Sequence, residues 1–257
     1  MKRQSILFVR SMCVVILFIT LAACKDTDNR VFGDDFDFPA LTDENTIRFT
    51  VNVVGDWRQL DIVASGGRMV IDWGNGRIQK IEDPSSMTGG VVYRYGNKGS
   101  YEVKIWAEEL QLIDISGLLL PLSNLYLGNM PRMKSLALNS ISDTRKLDLN
   151  TFCPNVESIN IGSLADLERL EIGNCSRLRS IQIYSNPKLT SIEFGSHPET
   201  ESLYCSYNGL SSLSLKSLPA LRNIDLSSNE RLSRLELNEE TSISAILIQG
   251  CAFQSIT

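Results

Sequence analysis

The feature that most constrains this chain is a repeat. Between Leu122 and Ile248, two apolar residues flank a single residue about every eleven positions: Leu125/Leu127, Leu136/Leu138, Leu147/Leu149, Ile159/Ile161, Leu170/Ile172 and so on to Ile246/Ile248. The step is twelve once, before Ile159, and ten once, before Leu213. Three residues ahead of most pairs stands another apolar residue, as at Leu167, Leu178, Leu189, Leu210, Leu221 and Leu232, while Thr144 and Thr200 are the weak members.

Apolar residues alternating at period two predict a short strand with one buried face. Eleven residues hold that strand and one corner, so two units close a coil, and stacked coils bury what a single coil cannot. The expectation is twelve strands in two short parallel sheets of six, each roughly 25–30 Å long at the usual strand spacing.

The unit L-x-x-L-x-L-x-x-N is complete in Leu178–Asn186 and Leu221–Asn229, and Cys251 takes the Asn/Cys place in the last unit. This stretch resembles the leucine-rich repeat family in the two-strands-per-coil form of bacterial surface proteins. Its coil of about 22 residues lies within that family's range of roughly 20–29. The turn residues sort the strands. Alternate units place Ile141, Leu164, Asn186, Asn208, Asn229 and Cys251 five after the first strand residue. The other set places Met130, Phe152, Cys175, His197, Leu218 and Glu240 there. Buried amides of an Asn ladder can bond the backbone of neighbouring turns. The resemblance implies that the Asn-bearing set forms the concave sheet.

Residues 1–23 read as a targeting segment: Lys2, Arg3 and Arg10 precede the apolar run Ser11–Ala23, too short for a membrane span. The run ends in Leu21-Ala22-Ala23-Cys24, which resembles a bacterial lipobox and implies cleavage before Cys24 and its acylation. An ordinary signal peptide or anchor helix is the alternative. Lys25-Asp26-Thr27-Asp28 is similar to the charged export tag of surface lipoproteins in the Bacteroidota, or is a polar tether. Residues 24–45 are acidic and aperiodic and read as a solvated linker, with no EF-hand pattern.

Residues 46–116 read as a small β domain. Ile47, Phe49, Val51 and Val53 alternate, and Gly66-Gly67, Gly74-Asn75-Gly76 and Gly89-Gly90 mark turns. The series Asp72-Trp73-Gly74-Asn75-Gly76, Tyr93-Arg94-Tyr95 and Gly99-Ser100-Tyr101-Glu102-Val103 resembles a PKD-like, immunoglobulin-like sandwich. Asn75 replaces that family's usual Asp and Tyr93 its usual His. Asp72, Trp73 and Tyr101 are expected to serve turn and core packing, and the domain to cover the first coil of the 117–257 solenoid. The fold class expected is therefore mainly β, a PKD-like sandwich followed by a leucine-rich repeat solenoid.

The chain carries a net charge of −5, or −8 once Lys2, Arg3 and Arg10 are removed with the targeting segment. Without a basic cluster it is a poor nucleic-acid binder, because phosphate binding needs clustered Lys and Arg. Cys153, Cys175, Cys205 and Cys251 show no zinc spacing and read as buried thiols. His197 is the single histidine and reads as a surface or turn residue. No G-x-S-x-G, H-E-x-x-H or P-loop is present. The expectation is neither an enzyme nor a metal or cofactor protein.

Alternation also sorts the outward residues. One set of strands presents a neutral face of hydroxyls and amides, with Asn160, Gln182, Tyr184, Tyr204, Ser206 and Asp225 as candidate ligand contacts. The other presents Lys146/Asp148, Arg169/Glu171 and Arg234/Glu236, a solvated charge lattice. The function expected is a lipid-anchored outer-membrane protein, exposed at the cell surface, that binds a protein or glycan in adhesion or host interaction. The alternatives are a structural or accessory envelope lipoprotein, or a glycan-capturing part of an uptake system.

Overall fold

The computed structural model describes residues 44–56, 58–87, 89–116, 120–150, 155–173 and 175–253. These belong to one compact unit, Ala40–Thr257. The targeting segment, Cys24, nearly all of the acidic linker and Cys153 lie outside the described residues.

The N-terminal strands are β1 (Thr46–Val53), β2 (Gln59–Ser65), β3 (Met69–Asp72), β4 (Ile78–Ile81), β5 (Val91–Arg94), β6 (Gly99–Ala107), β7 (Leu112–Ser116) and β8 (Leu122–Leu127). In β2 exposed and buried residues alternate, as period-two patterning requires. Two sheets enclose Phe49, Val51, Leu60, Ile62, Ile71, Trp73, Val103 and Ile105, each at most 1% exposed. One sheet runs β4-β3-β6-β1-β8. The motif residues pack as expected. Trp73 stacks on Tyr93 at 4.4 Å, Tyr93 meets Tyr95 edge-on at 4.9 Å, and Tyr95 stacks on Tyr101 at 4.6 Å. The Asp72 carboxylate accepts from the Gly74 N–H at 2.9 Å and holds the turn. A Cβ on Gly74 would stand 2.5 Å from the Glu102 carbonyl, and its φ of +76° also favours glycine. Asn75 Nδ2 donates to the Tyr93 hydroxyl at 2.7 Å.

The repeat forms β9 (Ser135–Asn139), β10 (Lys146–Asp148), β11 (Ser158–Gly162), β12 (Arg169–Ile172), β13 (Ser180–Tyr184), β14 (Ser191–Phe194), β15 (Ser202–Ser206), β16 (Ser212–Ser214), β17 (Asn223–Asp225), β18 (Arg234–Glu236) and β19 (Ala245–Leu247). The odd-numbered strands make the parallel concave sheet of a β-solenoid, consistent with leucine-rich repeat architecture. Between the walls, Leu136, Ile159, Leu170, Ile181, Leu203 and Leu213 are no more than 4% exposed.

The walls differ in detail from two equal sheets of six. The concave sheet gains β7, because Ile113 and Ile115 flank Asp114 as Leu136 and Leu138 flank Ala137. It then continues through antiparallel β2 and β5, so one sheet of nine strands runs β19-β17-β15-β13-β11-β9-β7-β2-β5. The opposite wall is broken. The first unit, β8, lies antiparallel to β1 in the sandwich sheet. The rest divides into β10-β12-β14 and β16-β18, and the break before β16 falls where the step shortens to ten residues. Both walls of the first coil are thus continued by the sandwich, which covers the apolar end.

Two ladders hold the corners after the concave strands. Ser140, Ser163, Ser185, Tyr207, Ser228 and Gly250 all take a left-handed conformation, with φ between 55° and 77°. Next comes the Asn ladder. Asn186 Oδ1 accepts from the Leu164 N–H, Asn208 Oδ1 from the Asn186 N–H, and Asn229 Oδ1 from the Asn208 N–H, at 2.9–3.2 Å. The Asn208 and Asn229 amides also donate to the carbonyls of Ile183 and Cys205. Thr200, weak as an apolar repeat member, is fully buried because its hydroxyl donates to the Leu178 carbonyl at 2.6 Å.

Candidate functional site

Parallel pairing in register turns the alternation of each strand into rows across the concave sheet. The middle row reads Ala137, Asn160, Gln182, Tyr204, Asp225 and Leu247. Beside it runs Ser135, Ser158, Ser180, Ser202, Asn223 and Ala245. On the other flank stand Asn139, Gly162, Tyr184 and Ser206. The six candidate contacts thus fall on four neighbouring strands, β11 to β17. Seven parallel strands span about 29 Å along these rows.

Each candidate side chain has a distinct state. Asn160 donates to Gln182 Oε1 at 3.3 Å. Tyr184 is half-buried, and its hydroxyl donates to Asn139 Oδ1 at 2.7 Å. Its ring fills the space over Gly162, where a Cβ would lie 2.4 Å from the ring. Tyr184 therefore covers the sheet, whereas Tyr204 stands free at 44% exposure. One oxygen of Asp225 accepts from the Ser227 N–H at 2.9 Å and from its hydroxyl at 2.5 Å, which fixes the carboxylate beside Tyr204.

The face includes residues that sequence reasoning passed over. Tyr207, at 63% exposure, occupies a left-handed corner place held by serine or glycine in the neighbouring coils. That contrast was readable in the sequence. The face also extends onto the sandwich. Val63 of β2 pairs with Asp114 of β7 and so continues the middle row, while Val92 of β5 pairs with Asp61. Val63 and Val92 are 42% and 51% exposed. The signal for this extension was the Ile113/Ile115 pair, one coil ahead of the recognised repeat.

The opposite wall carries the ion-pair lattice. Glu171, only 8% exposed, receives Lys146 at 2.9 Å and Arg169 at 2.7 Å. Arg234 meets Glu236 at 2.6 Å. Lys216, the Ser214 hydroxyl and Arg234 hold the Glu236 carboxyl below its usual range. These charges neutralise one another, and exposed pairs of this kind contribute little stability each.

Burial pushes the Cys175 thiol up to about 11 and the Cys205 thiol up to about 12, so both stay protonated. Cys205 and Cys251 are free thiols. His197 is not a surface residue: it is fully buried, because its ladder place points inward like those of Cys175 and Leu218. Its Nδ1 lies 2.7 Å from the Cys175 carbonyl, which fixes the proton on that nitrogen. Nε2 is buried without a hydrogen-bond partner. Burial holds the imidazole below its ordinary range. Among the described residues, no group of three or more His, Cys, Asp or Glu is placed to hold a metal ion. No helix among them is long and apolar enough to cross a membrane.

This arrangement is consistent with an interaction surface. It presents a long, narrow, nearly neutral strip of amides and hydroxyls, with exposed aromatic rings on one coil. Compared with known proteins, the chain matches no family model, no curated protein and no solved structure.

Proposed function

We propose that this protein is a lipid-anchored binding protein of the bacterial cell envelope, acylated at Cys24, that recognises an external ligand on its concave sheet. The observation that carries the reading is the row Asn160–Gln182–Tyr204–Asp225, in which an exposed ring stands between hydrogen-bonding groups on adjacent strands. Tyrosine beside short polar groups offers contact area at low entropic cost. The lipobox-like Leu21-Ala22-Ala23-Cys24 supports the anchor.

Between the two ligand classes, the strip favours a glycan. It is about 29 Å long but only one strand-length wide, roughly 10–15 Å. That area is about half of the roughly 800 Å² per partner of a standard protein interface. An extended, uncharged glycan lying across the strands would meet amides and hydroxyls throughout and a ring on which to stack.

Protease shaving of intact cells producing the full chain tests the envelope placement, with Cys24→Ala as control. The reading expects the wild type to sediment with membranes and to be shaved, and Cys24→Ala to be released. A membrane-bound but protected protein would place the sheet in the periplasm and overturn recognition of external ligands. Glycan and protein arrays probed with the wild type and Tyr204→Ala then separate the ligand classes.

A further inference from the structure

The two ends of the solenoid are treated differently. At the first coil, β7 is continued by β2 and β8 by β1, so both walls run into the sandwich. At the other end, among the described residues, β19 pairs with β17 alone and is the edge of the nine-stranded sheet. One coil earlier, the inward residues Leu221, Ile224 and Leu226 are 1%, 3% and 0% exposed. Their counterparts Ile243, Ile246 and Ile248 are only half-buried, as is Phe253.

Exposed edge strands are normally blunted by charge, proline or a bulge. The edge at the far side of the sheet, β5, carries Arg94 and follows the Gly89-Gly90 turn. The run Ser242–Gln249 has neither charge nor proline and is rich in isoleucine and leucine. Its backbone is also poised to pair. The Ala245 N–H donates to the Arg222 carbonyl and the Leu247 carbonyl accepts from Leu226, both toward β17. By the alternation of a strand, the N–H and C=O of Ile246 between them point away from the sheet.

We propose that this edge is an interface with a second copy of the same chain, formed by antiparallel pairing of β19 with itself about a two-fold axis at Ile246. In that register Ile246 exchanges both backbone bonds with its mate. Ala245 faces Leu247 of the other copy on the concave side, small against large, and Ser244 faces Ile248. No like charges are opposed anywhere along Ser242–Gln249. Because the sandwich closes the first coil, the end-to-end contact left is tail-to-tail. A contact of that kind is isologous and closes at two copies rather than growing into a filament. Pairing would cover the half-exposed apolar end and join two nine-stranded sheets into one. It would also set two copies of Tyr204 and Tyr207 on one surface, so that a long repetitive ligand is held at two points.

The test is the mass of the full chain in detergent, corrected for bound detergent, measured by sedimentation over a range of concentrations. Three proteins are compared: the wild type, Ala245→Glu with Leu247→Glu, and Ala245→Glu with Leu247→Lys. Both side chains are exposed, so all three should melt at the same temperature at a dilution where each is a single chain. The expected result is twice the chain mass for the wild type, one chain mass for the double glutamate variant, and restored pairing for the glutamate–lysine variant. A wild type that stays single throughout would overturn the proposal and leave the end covered by other residues. So would an open series of sizes, or association that ignores the charge pattern.

Discussion

The hydroxyl of Tyr184 donates to Asn139 Oδ1 at 2.7 Å, two strands away across the bare backbone of Gly162. The bond ties three coils together on the concave surface. It also separates Tyr184, which packs, from Tyr204, which is free.

If the glycine exists to admit the ring, Gly162→Ala should lower stability by about 1–3 kcal/mol, the usual cost of overpacking. Most of that loss should vanish when Tyr184→Ala is added, because the new Cβ meets that ring and the Asn139 Oδ1 held by its hydroxyl, each at 2.4 Å. Urea unfolding of both single variants and the pair checks this as a double-mutant cycle. Additive losses would mean that the ring and the glycine do not share the site.

The Asn ladder makes a sharper demand. Asn208 accepts from the Asn186 N–H and from its side-chain amide at 3.0 Å, and donates to the Ile183 carbonyl. Asn208→Leu should therefore cost about 3 kcal/mol or more, because each buried group left unmade costs roughly 1–3 kcal/mol. Leucine is apolar enough for the core, so a hydrophobic account of this place predicts little loss. The shift in denaturation midpoint decides between the two.

His197 should make stability pH-dependent. Its folded-state pKa is lowered, chiefly by burial, so between that value and about 6.5 the unfolded chain binds a proton that the folded chain refuses. Stability is therefore highest above about pH 6.5 and falls as the pH drops below it. In His197→Leu, which copies the neighbouring Leu218, the slope between about pH 6.5 and 5 should flatten. Melting temperatures of both proteins across that window are the measurement. An unchanged slope would place the titrating group elsewhere.

Much of the architecture was legible because it is periodic. The pairs Leu136/Leu138 to Ile246/Ile248 specify strand, buried face and coil length together, and a one-residue slip would turn every side chain over. The sorting of alternate units by Asn186, Asn208 and Asn229 also identified which strands share a sheet. Cover of the first coil by the small β domain was expected, but the strand pairing that makes it was not legible. Antiparallel pairing of β2 with β7 depends on tertiary register, and a short alternating strand such as Gln59–Ser65 does not name its partner. His197 lies at a turn, as one expectation had it, and its burial follows from ladder position rather than residue type. At the face, alternation placed Tyr184 and Tyr204 outward alike. That one is pinned and the other free follows from Gly162 and Asn139 on neighbouring coils, visible only once the register is known.

Recognition on the concave sheet, as proposed, is tested by the affinity of the full chain for the ligand retained from a glycan and protein array. It is compared among wild type, Tyr204→Ala, Asp225→Ala and the opposite-wall control Arg234→Ala, all with matched melting temperatures. The expected result is a tenfold or greater loss for Tyr204→Ala and Asp225→Ala, about 1.4 kcal/mol or more, and no change for Arg234→Ala. Equal affinity in all four, or a loss confined to Arg234→Ala, would contradict it.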